Sequence, residues 1–106
     1  MKPDPLTHYC ITREDIPHGL QAAQIIHAAG ESSPGNIPPH CYAIALTTRD
    51  ERELNDLSFE LFRAGIPHRR IIENDEPWAG QLMAIGVKPM HRSELRRHLS
   101  GLRLLR

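Results

Sequence analysis

Apolar and polar positions fall into two periods along this chain. "THYCIT" (7–12) alternates and is rich in β-prone residues, which predicts a first strand after the lead-in "MKPDP". "REDIPHG" then turns the chain, and Asp15 ahead of Ile16 and Pro17 has the form of a helix N-cap with proline in the first turn. The Ala-, Gln- and Leu-rich stretch 19–29 predicts a helix, with Gly30 as its stop. "ESSPGNIPP" (31–39) is a surface connection by composition. "HCYAIALTT" (40–48) is almost continuously apolar, the pattern of a central strand covered on both faces. Asp50 caps a second helix in which Leu54, Leu57, Leu61 and Phe62 recur on one side, and Gly65 and Pro67 end it. Segments 68–73 and 81–87 read as third and fourth strands around the loop "NDEPWAG". "HRSELRRHLSGL" reads as a short amphipathic helix, and the final "RLLR" as an edge strand or a docked tail.

The order strand, helix, strand, helix, strand, strand, helix favours parallel pairing across the helical crossovers. The short link between the third and fourth strands suits antiparallel neighbours. The expected class is α/β, a three-layer α/β/α sandwich with a mixed sheet of about four strands. Leu54, Leu57, Leu61, Ile71, Leu82 and Ile85 are core by spacing and carry no chemistry.

At 106 residues, 40% apolar and 25% charged, the chain suits a single globular domain, residues 1–106. Its formal net charge of +0 gives no global field to attract nucleic acid. The charge is uneven, however: residues 73–76 ("ENDE") are acidic and the C-terminal segment is basic, which is compatible with a local patch for phosphate or RNA. Cys10 and Cys41 both fall in strand patterns and read as reduced core thiols, which points to a cytoplasmic setting. No metal-ligand spacing, no secretory h-region and no membrane-spanning run is apparent, so no metal site and no membrane partner is expected.

Three segments carry a resemblance: "AAQIIHAA" on the first helix, "AGIPHRRIIE" entering the third strand, and "QLMAIGVKP" as the fourth. In this order, over nearly the whole chain, they resemble the type II peptidyl-tRNA hydrolase family. The run "IGVKPMHRSELRRHLSGLRLLR" and the acidic, Pro-containing loop are similar to its divergent branch, the peptidyl-tRNA hydrolase domain-containing proteins. The resemblance implies an α/β/α sandwich, hydrolysis of the ester bond of peptidyl-tRNA, tRNA as partner, a possible homodimer, and no cofactor or metal. It also implies a site where the N-terminal part of the first helix faces the loop between strands three and four. Two positions depart from the family. Its lysine before the "AAQ" segment is replaced by Leu20, with His18 at the preceding lysine. Its aspartate after the third strand corresponds to Glu73, with Asp75 two residues on.

Gln24 and His27 stand at i and i+3 in an apolar helix, where buried polar groups need partners. Structurally they tie the helix to a neighbour. Functionally Gln24 holds the ester carbonyl or the attacking water, and His27 accepts or relays a proton. Glu73 or Asp75 is the general base, while Glu76 reads as a solvated turn residue. Substrate-binding positions are His18, Gly19 and Leu20, where the unpaired amides of the first helical turn supply donors for an oxyanion. Trp78 either stacks on an unpaired base or closes the core edge. Arg69 and Arg70, with Lys88, Arg92, Arg96 and Arg97, are candidates for phosphate contacts. The rival to a hydrolase is a catalytically inactive relative that binds RNA or protein. A third reading is a hydrolase of another small ester or amide.

Overall fold

Strand β1 (Leu6–Arg13) is buried from its second residue to its last. It is buried because it has neighbours on both sides. It runs parallel to β2 (Tyr42–Thr48) and antiparallel to β4 (Leu82–Val87), and its first residues pair with the short β5 (Met90–His91). Strand β3 (His68–Ile72) pairs antiparallel with β4, and β6 (Arg103–Leu104) pairs antiparallel with β2. The result is a mixed six-stranded sheet, β3-β4-β1-β2-β6, with β5 beside β1. The computed structural model describes residues 4–106; residues 1–3 of the lead-in lie outside the described residues. The chain is α/β, as its pattern predicts. The sheet has more strands than expected because two-residue segments at β5 and β6 complete it.

Helix α1 (His18–Ser32) differs from expectation at both ends. Its N-cap is Pro17, with no side-chain cap, because Asp15 stands two residues too early and is held instead by Arg13. Gly30 does not stop it. The helix runs on to Ser32, whose hydroxyl donates back to the Ala28 carbonyl at 2.6 Å. Helix α2 (Glu51–Arg63) is capped as expected, Asp50 accepting the Glu53 N–H at 3.0 Å. Leu54, Leu57 and Leu61 are buried, but Phe62 stands off the stripe and is exposed. Helix α3 (Arg92–Leu99) opens on a capping box between His91 and Glu94, and Asp4 accepts both the N–H and the hydroxyl of Ser93.

Successive residues of a strand point to opposite faces. On β1, Tyr9 and Ile11 join a cluster with Leu54, Leu57 and Leu61 of α2 and Leu95 and Leu99 of α3. Cys10, between them, joins Ala28 of α1 with Ile71 and Ala84. Ile71, Leu82 and Ile85 are buried as predicted. Strand β2 is not doubly covered along its length. Tyr42 and Ala43 are exposed because its outer neighbour β6 pairs only Leu46 and Thr47. Cys41 precedes the strand and is half-buried.

Where α1 crosses the sheet, His8, Cys10 and Ser32 form a small buried polar group. The Ser32 hydroxyl is already committed as a donor, so His8 Nε2 donates to it, at 2.7 Å. Burial holds the His8 imidazole below its ordinary pKa and pushes the Cys10 thiol up to about 11. The unfolded histidine therefore takes up a proton that the folded one resists, so stability falls as pH drops below roughly 6.5. The folded thiol keeps a proton that the unfolded one loses, so stability also falls as pH rises from roughly 9 toward 11. Urea midpoints are expected to be flat between these limits, with His8→Asn blunting the acid limb and Cys10→Ala the alkaline one.

Candidate functional site

The ends of β1 and β3, the start of β4 and the first half of α1 meet at one end of the sheet, the position at which open α/β sheets hold their ligands. Gln24 lies on the packing stripe of α1 and is buried. Its Nε2 donates to Glu73 Oε2, at 3.1 Å, across 49 residues of chain. The other Glu73 oxygen accepts the N–H groups of Asn74 (2.9 Å) and Asp75 (3.3 Å). Three donors thus fix the carboxylate just past the end of β3. Asp75 supplies a backbone amide, and its side chain is at the surface. A carboxylate can only accept, so the Gln24 amide must turn its NH2 to Glu73. That leaves Gln24 Oε1 buried with no hydrogen-bond partner.

The loop behind Glu73 is folded on itself. Glu73 N–H donates to the Gln81 carbonyl, Gly80 N–H to the Glu73 carbonyl, and Trp78 N–H to the Asp75 carbonyl. Gly80 has φ +81, a conformation that favours glycine.

Arg13, absent from the expected site, organises this region. It is 4% exposed at the end of β1. Its guanidinium grips Asp15 with two bonds of 2.7 Å, donates to Gln81 Oε1 at 2.8 Å and lies 5.3 Å from the centroid of the Trp78 ring. Its carbonyl accepts from Gln21 Nε2. Asp15 is held below the ordinary carboxylate range by this contact, and Arg13 is correspondingly raised. One side chain therefore ties the turn before α1 to the loop that carries Glu73. The signal available in the sequence was a charged residue closing a strand with no other Asp, Glu, Lys or Arg in it, two positions before an aspartate. Trp78 is half-buried, with Arg13 against its ring.

His27 is exposed. It stands about 60° round the helix from Gln24, so the i, i+3 pair divides into one inward and one outward residue. His18 and Gly19 are exposed in the first turn and Leu20 is half-buried. The first hydrogen bond of α1 runs from Gln21 N–H to the Pro17 carbonyl, so the amides of these three residues precede the helical ladder. His18 and Gln21 border a groove of about 600 Å³ with Glu14, Thr47, Arg103 and Arg106. Arg69 and Arg70 diverge. Arg70 donates to Asn55 of α2, whereas Arg69 borders a groove with Glu31 and Ser33 at the far end of α1. Adjacent strand residues face opposite ways, so the two do not form one patch. Both also lie well before Glu73, Arg69 by about 13 Å of strand.

A larger groove, about 1040 Å³, runs between α2 and α3 and contains none of these site residues. No group of three or more His, Cys, Asp or Glu side chains placed to hold a metal occurs among the described residues. No helix of the described residues is long and apolar enough to cross a membrane. No family model and no curated protein matches this chain.

Proposed function

We propose that the protein hydrolyses the ester bond of peptidyl-tRNA, or of an N-blocked aminoacyl-tRNA, and releases free tRNA. The observation that carries this reading is the Gln24–Glu73 contact. It joins two of the three segments, "AAQIIHAA" and "AGIPHRRIIE", on which the resemblance to type II peptidyl-tRNA hydrolases rests.

In this reading Glu73 is the general base. It takes a proton from water as the water oxygen bonds to the ester carbonyl carbon. The bond from that carbon to the ribose oxygen then breaks, and the ribose oxygen takes up a proton as it leaves. Gln24 donates to the carboxylate and fixes its orientation. The uncapped amides at the start of α1 are the donors for the developing oxyanion. His27, at the solvent side, relays protons to bulk water. Arg103 and Arg106, beside His18, face the phosphates in place of the diverging Arg69 and Arg70.

One observation favours the rival, a non-catalytic relative that binds RNA or protein: an apolar residue, Leu20, occupies the family's lysine position and is half-buried. Incubation with N-acetylated aminoacyl-tRNA separates the two. Release of free tRNA above the spontaneous rate is expected. No release, with salt-sensitive binding of tRNA, would leave the binding module standing. Neither release nor binding would exclude both.

A further inference from the structure

Strand β2 leaves part of its inner face bare. Tyr9 and Ile44 are partners across β1 and β2, and with Leu46 they face the side of the sheet that carries α2 and α3. Helix α3 is only eight residues long, about 12 Å, and β6 only two residues. Together they do not close over the strand. What remains is a cleft of about 280 Å³ floored by Tyr9, Ile44 and Leu46, with Leu104 of β6, 55% exposed, at its edge.

Two arginines border this apolar floor, Arg92 and Arg96, one turn apart on α3. No Asp or Glu lines the cleft, and neither arginine makes an ion pair among the described residues. Two acids close by in the chain are already spent. Asp4 accepts from Ser93, and Glu94 accepts the His91 N–H. Arg92 is held in place by Tyr42, its guanidinium 5.6 Å from the ring centroid, and its Nε is buried with no hydrogen-bond partner. An aromatic face steadies a cation but does not replace the acceptor lost with water. The cleft is on the face of the sheet opposite α1, so these arginines do not serve the Gln24–Glu73 site.

Unpartnered cationic donors beside an aliphatic cleft specify a ligand with one anionic end and an apolar body. We infer that the cleft binds a small aliphatic carboxylate of the medium-chain fatty acid class. The fork of the carboxylate matches the Nε–Nη edge of Arg92, the edge that lacks an acceptor, and Arg96 adds a second positive charge. The chain lies over Ile44, Leu46 and Leu104. The volume is just below the usual range of ligand pockets, about 300–1,000 Å³, which suits one short chain and not a nucleotide or a phospholipid. A bare phosphate would leave the apolar floor in water, and an uncharged lipid would leave Arg92 without its acceptor. The inference is independent of the proposed hydrolase activity.

Titration of sub-micellar decanoate into the full chain, followed by calorimetry and by NMR of labelled methyl groups, tests it. Saturable one-to-one binding is expected, with shifts centred on the methyls of Ile44, Leu46 and Leu104. Arg92→Gln should weaken binding about tenfold or more, the loss of a charge-assisted hydrogen bond, and Arg96→Gln by less. Leu104→Ser, at an exposed position, should weaken it without touching the charges. Decanol and inorganic phosphate, each carrying half of the recognised chemistry, should bind the wild type at least about tenfold more weakly than decanoate. Absence of saturation overturns the inference. So does binding undiminished in the Arg92→Gln, Arg96→Gln double variant, or decanol or phosphate binding as tightly as decanoate. Shifts centred on Ile66 and Met90, which line the larger groove, overturn it as well. Unchanged circular dichroism of the variants confirms that the fold is retained.

Discussion

Replacing Glu73 by glutamine is expected to slow tRNA release by about 10²–10⁴-fold, the usual contribution of a positioned general base, while leaving the fold intact. The two effects separate because of the hydrogen bonds around this side chain. In the native protein the Gln24 NH2 faces a carboxylate, and Gln24 Oε1 is stranded. A glutamine at 73 keeps its carbonyl oxygen on the N–H groups of Asn74 and Asp75 and turns its NH2 toward Gln24. The Gln24 amide then flips, so that its Oε1 accepts from the new NH2 and its own NH2 takes the position without a partner. One stranded group replaces another, and stability should change by no more than about 1 kcal/mol. A residue that merely fastened α1 to the loop would keep both its stability and its release rate, since the glutamine preserves the fastening contacts. Single-turnover release and a urea titration on the same sample distinguish the cases. A release rate within a few-fold of wild type removes Glu73 from the chemistry.

Gly86→Ala should produce the largest loss of stability of any single-methyl addition to a strand. A Cβ there would lie 2.2 Å from the Ala28 carbonyl oxygen, 2.5 Å from Ser32 Oγ and 2.9 Å from the Ala28 carbonyl carbon. Two of these atoms are helix backbone and cannot swing aside, so α1 itself must lift from the sheet. Overpacking of this kind costs about 3 kcal/mol or more. In a chain of this length that lowers Tm by roughly 10–20 °C. Lifting α1 also pulls Gln24 away from Glu73, so activity should fall even at temperatures where the variant remains folded. Gly101→Ala, where nothing lies within 4 Å of the added carbon, is the control and should shift stability by no more than about 0.5 kcal/mol. Equal Tm values for the two variants would show that the helix accommodates the methyl.

Periodicity carried most of the architecture. Leu54, Leu57 and Leu61 were legible because a helix that buries one side must repeat every three to four residues, and the Asp50 cap because a short acceptor just ahead of such a stripe has a defined partner. What failed was local. Asp15 reads as a cap until Arg13 is seen to claim it, and Gly30 reads as a stop until Ser32 is seen to bond back to Ala28. Phe62 reads as core because hydrophobicity says nothing of which side of a helix meets the sheet. The approach of Gln24 to Glu73 was foreseeable only through the resemblance, since no local pattern specifies a contact between residues so far apart in sequence. The split between Gln24 and His27 depended on the angle at which α1 lies on the sheet. Arg13 was missed because a lone arginine at a strand end has no preferred partner until the loop from 73 to 81 is brought beside it.

Strand β1 takes neighbours on both sides, and all of them come later in the chain. During synthesis this strand emerges before every strand it pairs with, and waits. Its parallel partner requires residues through Thr48, and its antiparallel side is paired at Cys10–Thr12 only once Gly86 has been added and at Leu6 and Thr7 only with His91. The nascent polypeptide therefore carries an unpaired, sticky edge until those later strands arrive, which makes this a stretch with particular need of shielding by the ribosome or a holdase.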